Sequence, residues 1–173
     1  MLLKSNHIYF RALEPFDLEL MYDIENDTEV WKISNTIHPF SKDVLLQYLQ
    51  SAHQDIFTNK QLRLVICLND TSEPIGTIDL FEFDPLHLRV GVGILIFKNF
   101  RKNGFAQEAI ELVKLYSKKV LLMNQLYCNI SSSNEGSIFL FEKCGFIRIG
   151  IKKQWNRIEK NQFEDEILYQ LLL

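Results

Sequence analysis

Cysteine is scarce in this chain: among 173 residues only Cys67, Cys128 and Cys144 occur, an odd number with no C-x-x-C pair. That excludes a disulfide framework and a zinc ribbon, and it fits a reducing cytoplasm. Long apolar runs are missing too. Runs such as ILIF at 94–97 and VLLM at 120–123 fall far short of the ~20 residues that cross a bilayer. The opening MLLKSNHIYF turns polar after two leucines, without the apolar centre or cleavage site of an export signal, so a cytoplasmic protein is expected. An excess of positive charge is also absent. Lys and Arg number 19 against 22 Asp and Glu, net −3, so no basic field exists to bind nucleic acid by counterion release. His7, His38, His53 and His87 share no ligand spacing, and no metal is assigned. Glycine (7) and proline (4) are sparse, and no repeat, linker or low-complexity stretch breaks the chain. What is present, 47% hydrophobic and 24% charged residues, is the balance of one globular domain spanning 1–173.

Hydrophobic spacing supplies the elements. Residues 7–13 read as a first strand, ended by Glu14-Pro15, and a helix runs from the proline to about Asp27. A second helix starts near Ser41, its N-cap, with Leu45, Tyr48, Leu49, Ala52 and Ile56 on one face. The stretch 61–68 places Leu62, Leu64, Ile66 and Leu68 on one side of a strand, and GTIDLFEF returns as its antiparallel partner up to Asp84-Pro85. A fourth strand, 88–97, leads through KNFRKNG into a helix with Ala106, Ala109, Ile110, Val113 and Tyr116 on one face, closed by Lys118 and Lys119. A short strand at 125–130, a helix from Asn134 to Cys144 stopped at Gly145, and strands at 146–152 and 164–172 around a polar turn at 156–162 complete the chain. The order βααβββαβαββ predicts α+β, three-layer αβα, a mixed sheet with helices against it.

The segment Arg101-Lys102-Asn103-Gly104-Phe105-Ala106 joins an apolar strand to an amphipathic helix, where unpaired amides and the helix dipole attract anions. Gly104 admits a ligand close to the backbone, Ala106 keeps the first turn low, and Arg101 and Lys102 add charge for a pyrophosphate or 3′-phosphate. A basic strand-to-helix turn with no ligand is the alternative. The Lys-Ser/Thr of a nucleoside-triphosphate loop is missing, and so is G-x-G-x-x-G. Gly91 and Gly93 stand inside the fourth strand, where two glycines mark either a bulge or a close backbone approach.

Strand, glycine pair, R-x-x-G-x-A loop and helix, followed by strand and NEGSIFLFEKCGF at 134–146, resemble the GNAT superfamily of acetyl-CoA-dependent N-acetyltransferases over nearly the whole chain. The early FRALEPFDLELMYDIENDTEVW is similar to the branch of ribosomal-protein N-terminal and spermidine acetyltransferases. The resemblance implies a largely antiparallel seven-stranded sheet and acetyl-CoA as cosubstrate. It implies that Arg101, Lys102, Asn103, Gly104, Phe105 and Ala106 hold the pyrophosphate, and that Ile94, Leu95, Ile96 and Phe97 pair with pantetheine. It puts Asn134 at the helix cap, with Ser137 and Phe141 also on the cofactor side. A strand edge suits the amides of pantetheine, and a helix N-terminus suits a pyrophosphate.

Transfer by direct attack needs a neutral amine, a route for its proton and a way to reprotonate the thiolate. Many members of the family use a tyrosine seven residues after the capping Asn as acid and a glutamate in the glycine-bearing strand as base. Here those positions are Phe141 and Gly91. A carboxylate of the preceding strand, Asp79 or Glu82, is the substitute base. Strand alternation puts them on opposite faces, so at most one is expected to face the site. Coenzyme A, with a thiol pKa near 8.5, leaves without a dedicated acid.

The acidic run Asp23, Glu25, Asp27, Glu29 lies on the acceptor side and suits a cation, or is a solvated helix face. Polyamine enzymes of this branch carry an acidic pair before a proline where this chain has Thr36-Ile37-His38-Pro39. The expected acceptor is a small di- or polyamine or a protein N-terminal amine. The alternative is a coenzyme A-binding sensor or interaction module with weak catalysis. No nucleic acid or membrane partner is expected, and a homo-oligomer remains open.

Overall fold

The computed structural model describes residues 3–34, 36–51 and 55–173. Seven strands, β1 (Ile8–Ala12), β2 (Leu62–Leu68), β3 (Pro74–Asp84), β4 (Arg89–Ile96), β5 (Gln125–Ser131), β6 (Ile147–Glu159) and β7 (Gln162–Leu172), form one sheet in the order β1-β2-β3-β4-β5-β7-β6. Every pairing is antiparallel except β4 with β5. That parallel step requires a crossover, supplied by α5 (Phe105–Lys119). The remaining helices are α1 (Leu18–Asn26), α2 (Thr28–Ser34), α3 (Lys42–Ser51), α4 (Ile56–Asn59) and α6 (Glu135–Lys143). The α+β expectation holds.

Alternation along β2 divides the core in two. Leu64 and Ile66 join Ile78, Leu80, Val90, Val92, Leu126 and the α5 residues Ala109, Ile110 and Val113 on one side of the sheet. Val65 and Cys67 point the other way, against Met21 of α1 and Leu45 and Leu49 of α3. The β1–β3 half is therefore sandwiched between helices. On the β4–β7 half the first face is covered by α5 and α6, and the opposite face carries Gly93, Asn129, Ser131 and Glu166 along a cleft.

Boundaries differ from the sequence reading in three places. Helix α2 was not foreseen; Asp27 caps it, its Oδ1 accepting the Glu29 N–H at 2.9 Å. Ser41 does cap α3 through Val44 N–H at 3.3 Å, but Ile56 belongs to the separate helix α4, capped by Asp55. Ala52 and His53 lie outside the described residues. The polar turn expected over 156–162 shrinks to Lys160-Asn161, because β6 runs on to Glu159 and β7 begins at Gln162. Register shifts after Arg148, Lys152 and Arg157 interrupt the two-residue period that would have marked so long a strand.

Candidate active site

Strands β4 and β5 pair over only three positions, Arg89 with Gln125, Val90 with Leu126 and Gly91 with Tyr127. Beyond Gly91 they separate. From Val92 to Ile96, β4 keeps its ladder to β3 while its other edge faces the gap. Every second amide and carbonyl on that edge is left for another partner. The gap opens into a cleft of about 640 Å³, walled by Val92, Gly93 and Ile94 of β4 and by Cys128 to Ser131 of β5. Asn134, Ser137 and Phe141 close one end, the β6–β7 hairpin another, and Glu29, Lys32 and Ile33 of α2 a third.

The C-terminal end of β4 leads through a 3-10 turn, Lys98–Phe100, into the Arg101–Gly104 loop and α5. Lys102 and Gly104 take left-handed backbone angles, φ 64° and 84°, which fold the loop back on itself. The first helical bond runs from Glu108 N–H to Gly104 O at 3.1 Å, so the amides of Phe105, Ala106 and Gln107 precede the ladder and point out of the helix start. A Cβ built on Gly104 meets nothing within 4 Å, so the space before these amides is open. The side chain of Arg101 is turned back, Nε donating to Ile96 O at 2.8 Å, and Asn103 braces the carbonyls of Phe100 and Arg101. Lys102 remains exposed beside the amides.

At the far end of the gap, Asn134 caps α6, its Oδ1 accepting Ser137 N–H at 3.2 Å, and it lines the cleft as well. Phe141 is buried, edge-on to Phe146 at 5.0 Å, and presents a ring where a proton donor was sought. Cys128 lines the gap, but burial pushes its thiol pKa well up, so it stays protonated.

The register irregularity expected of the glycine pair lies on the neighbouring strand instead, in β3 between Phe81 and Asp84. Gly91 serves a close approach: a Cβ there would sit 2.3 Å from the Phe81 ring, which is edge-on to Tyr127 at 6.0 Å. Inside the irregularity Glu82 takes φ 49°, and its carboxylate receives the Tyr127 hydroxyl. Burial and this carboxylate both push the Tyr127 pKa upward. Asp79 and Glu82 therefore reach the same face, not opposite ones, because the strand is not regular between them. Neither lines the cleft. Asp79 accepts two bonds from Arg63, at 2.6 and 3.1 Å, and Arg63 also holds Glu25 of α1. Burial acts against the charge of Arg63, yet Asp79 and Glu25 hold its pKa above the ordinary arginine value.

The acidic run disperses in the same way. Glu25 is taken by Arg63, Asp27 caps α2, and Glu29 pairs with Lys32 at 2.7 Å. His38 is exposed against the Phe40 ring, with Nδ1 3.2 Å from Pro39 O, away from the cleft lining. Of the expected site residues, Ile94, Asn134, Ser137 and Phe141 share one cleft, and the Arg101–Ala106 loop lies beyond the other end of the β4 edge. The sequence reading missed the hairpin side, with Asn156, Arg157, Glu164 and Glu166, and the α2 side. The acids at 164–166, at the start of the expected last strand, were the available signal, while Asn156 and Arg157 fell in the expected turn.

Residues 7–147 match the acetyltransferase (GNAT) domain model. The chain is 26% identical over 147 residues to spermidine N(1)-acetyltransferase of Vibrio cholerae, covering 84% of this chain and 82% of that protein. It is 27% identical over 142 residues to the Escherichia coli K12 spermidine N(1)-acetyltransferase, covering 82% and 74%. The crystal structure of the Vibrio cholerae spermidine N-acetyltransferase in complex with CoA and spermine superposes with a TM-score of 0.85 at 23% identity, over 95% of each chain. Matched over well more than half its length, the protein belongs to the GNAT family and is an acetyl-CoA-dependent acetyltransferase.

Proposed function

We propose that the enzyme moves acetyl from acetyl-CoA to a primary amine by direct attack in a ternary complex, the acceptor being a small di- or polyamine or a protein N-terminal amine. The separation of β4 from β5 carries this reading. An extended carrier gripped by the amides before α5 runs about 13 Å along the free edge of β4 from Ile96 to Val92 and delivers its acyl end into the cleft. Phe105, Ala106 and Gln107 amides with Lys102 hold the pyrophosphate, and Asn134 and Ser137 flank the arm. Spermidine acetylation by the two named relatives supports the polyamine acceptor. The commitment of Glu25 to Arg63 and of Asp27 to the α2 cap supports the N-terminal amine.

With Asp79 held by Arg63, Glu82 bonded to Tyr127, and Gly91 and Phe141 offering no proton chemistry, the amine sheds its proton largely to water before attack. The nitrogen forms its bond to the carbonyl carbon as the C–S bond breaks, its surplus proton leaves to water, and water returns a proton to the thiolate, whose pKa near 8.5 permits it. Turnover then tracks the neutral fraction of the acceptor. It reaches half its plateau near pH 8 for an α-amine, with its pKa of about 7.7–8.0, and levels off at about pH 9, where it still climbs for an alkylamine of pKa about 10.4. Thiol release from acetyl-CoA against spermidine, putrescine, amino acids and short peptides, across pH, tests this. Release with none of them, with coenzyme A still bound, would leave a binding module in place of the proposed transfer. A profile independent of the acceptor's own pKa would refute the water route.

A further inference from the structure

Two carboxylates are buried among the described residues. Asp17 is consumed by Arg11 and the Glu14 amide near β1. Glu166 is on β7, directly across from Ser131 of the departing strand β5, and it lines the cleft. Its two oxygens are unlike. Oε1 accepts Lys152 Nζ at 2.8 Å, whereas Oε2 has only a 3.4 Å contact with Asn156 Nδ2. Lys152 is itself held by Asn129 Oδ1 at 3.0 Å and lies over the Trp155 ring at 5.0 Å. A carboxylate, an amide oxygen and an aromatic face thus already bind one alkylammonium at the cleft wall, the set that recognises such a cation.

We propose that Glu166 is the acceptor-holding carboxylate: Oε2 receives an N–H of the incoming amine, while Oε1 is occupied by Lys152. The inference rests on the amine-acetylation reading and adds the residue that places the nucleophile. It accounts for a buried carboxylate, paired with a half-buried lysine, in a wall where apolar residues would be no less stable. It also restores a carboxylate to a site that has none at Gly91, from the opposite side of the gap.

The test uses the full-length enzyme with spermidine and alanyl-alanine amide as acceptors, acetyl-CoA binding by calorimetry, and Tm. E166Q is expected to raise the acceptor KM about ten-fold or more, the loss of one charge-assisted bond, with acetyl-CoA Kd unchanged. K152M, which breaks the same pair but spares the carboxylate, is expected to leave KM unchanged or lower it. A purely structural pair predicts that both variants shift Tm and KM alike, and that result would overturn the proposal. The double variant K152M/E166Q, free of an unpaired charge, is expected to keep its Tm and show the raised KM. A wild-type KM in that variant would also overturn the proposal. A wild-type enzyme silent on every amine would instead bring down the transfer reading on which the proposal stands.

Discussion

The two halves of the sheet treat their polar groups differently. Around β1 to β3, where helices cover both faces, the charged side chains are spent on one another: Arg63 holds Glu25 and Asp79, and Arg11 holds Asp17. Around β4 to β7, one face is left open, and an unpaired strand edge, a capping Asn and a carboxylate with one loosely bonded oxygen surround a cavity. A fold that buries polar groups must pair them, so the chemistry gathers where burial is incomplete.

The contrast can be broken most severely at Arg63. Arg63→Met strands two carboxylates under α1 and is expected to lower stability by about 3–5 kcal/mol in a denaturant titration, with acetyl-CoA affinity unchanged in the folded protein. Next in size is Gly91→Ala, whose methyl group must displace the Phe81 ring; a loss of about 1–3 kcal/mol is expected, recovered when Phe81→Leu is added. Equal stability of Gly91→Ala and wild type would show that the ring yields freely.

On the open side, Gly104→Ala is expected to lower stability by only about 1 kcal/mol, for the left-handed backbone, but to raise the acetyl-CoA Kd about ten-fold by filling the space before the α5 amides. An unchanged Kd in calorimetry would remove the loop from cofactor binding. The acid limb of stability separates Asp17 from Asp165. Burial opposes the Asp17 charge, but Arg11 and the Glu14 amide hold its carboxyl below the ordinary value of 3.8. Its contribution is therefore present above that value and is lost as pH falls through the lower folded value. Asp17→Asn should flatten the acid limb of stability below about pH 4; Lys153 and the Gln154 amide also hold the Asp165 carboxyl below 3.8, but this pair faces solvent, and Asp165→Asn should flatten the limb less.

Much of this was legible in the chain. The cap at Asn134, the α5 stripe and the β2–β3 hairpin follow from short-range rules that the fold obeys, and the GNAT resemblance rests on the same segments. What escaped was set by irregularity and by distance. Glu82 leaves its expected face because of a local left-handed angle that nothing in GTIDLFEF announces. The β6 part of the cleft wall, Asn156 to Glu159, was read as a turn because three register shifts scramble the alternation of β6. Helix α2 is short and has no buried residue, so periodicity could not mark it; only the Asp27-Thr28-Glu29 start did. That Arg63 would claim two acids, 38 and 16 residues away in sequence, is a fact of topology alone.

The three-rung ladder between β4 and β5 has a mechanical meaning as well. Seven strands run in one order, yet the sheet is two ribbons spliced at a narrow seam, with α5 packed across both. Whatever lies along the free edge is admitted as an eighth, removable strand, so occupancy and the stiffness of the whole ribbon become one variable.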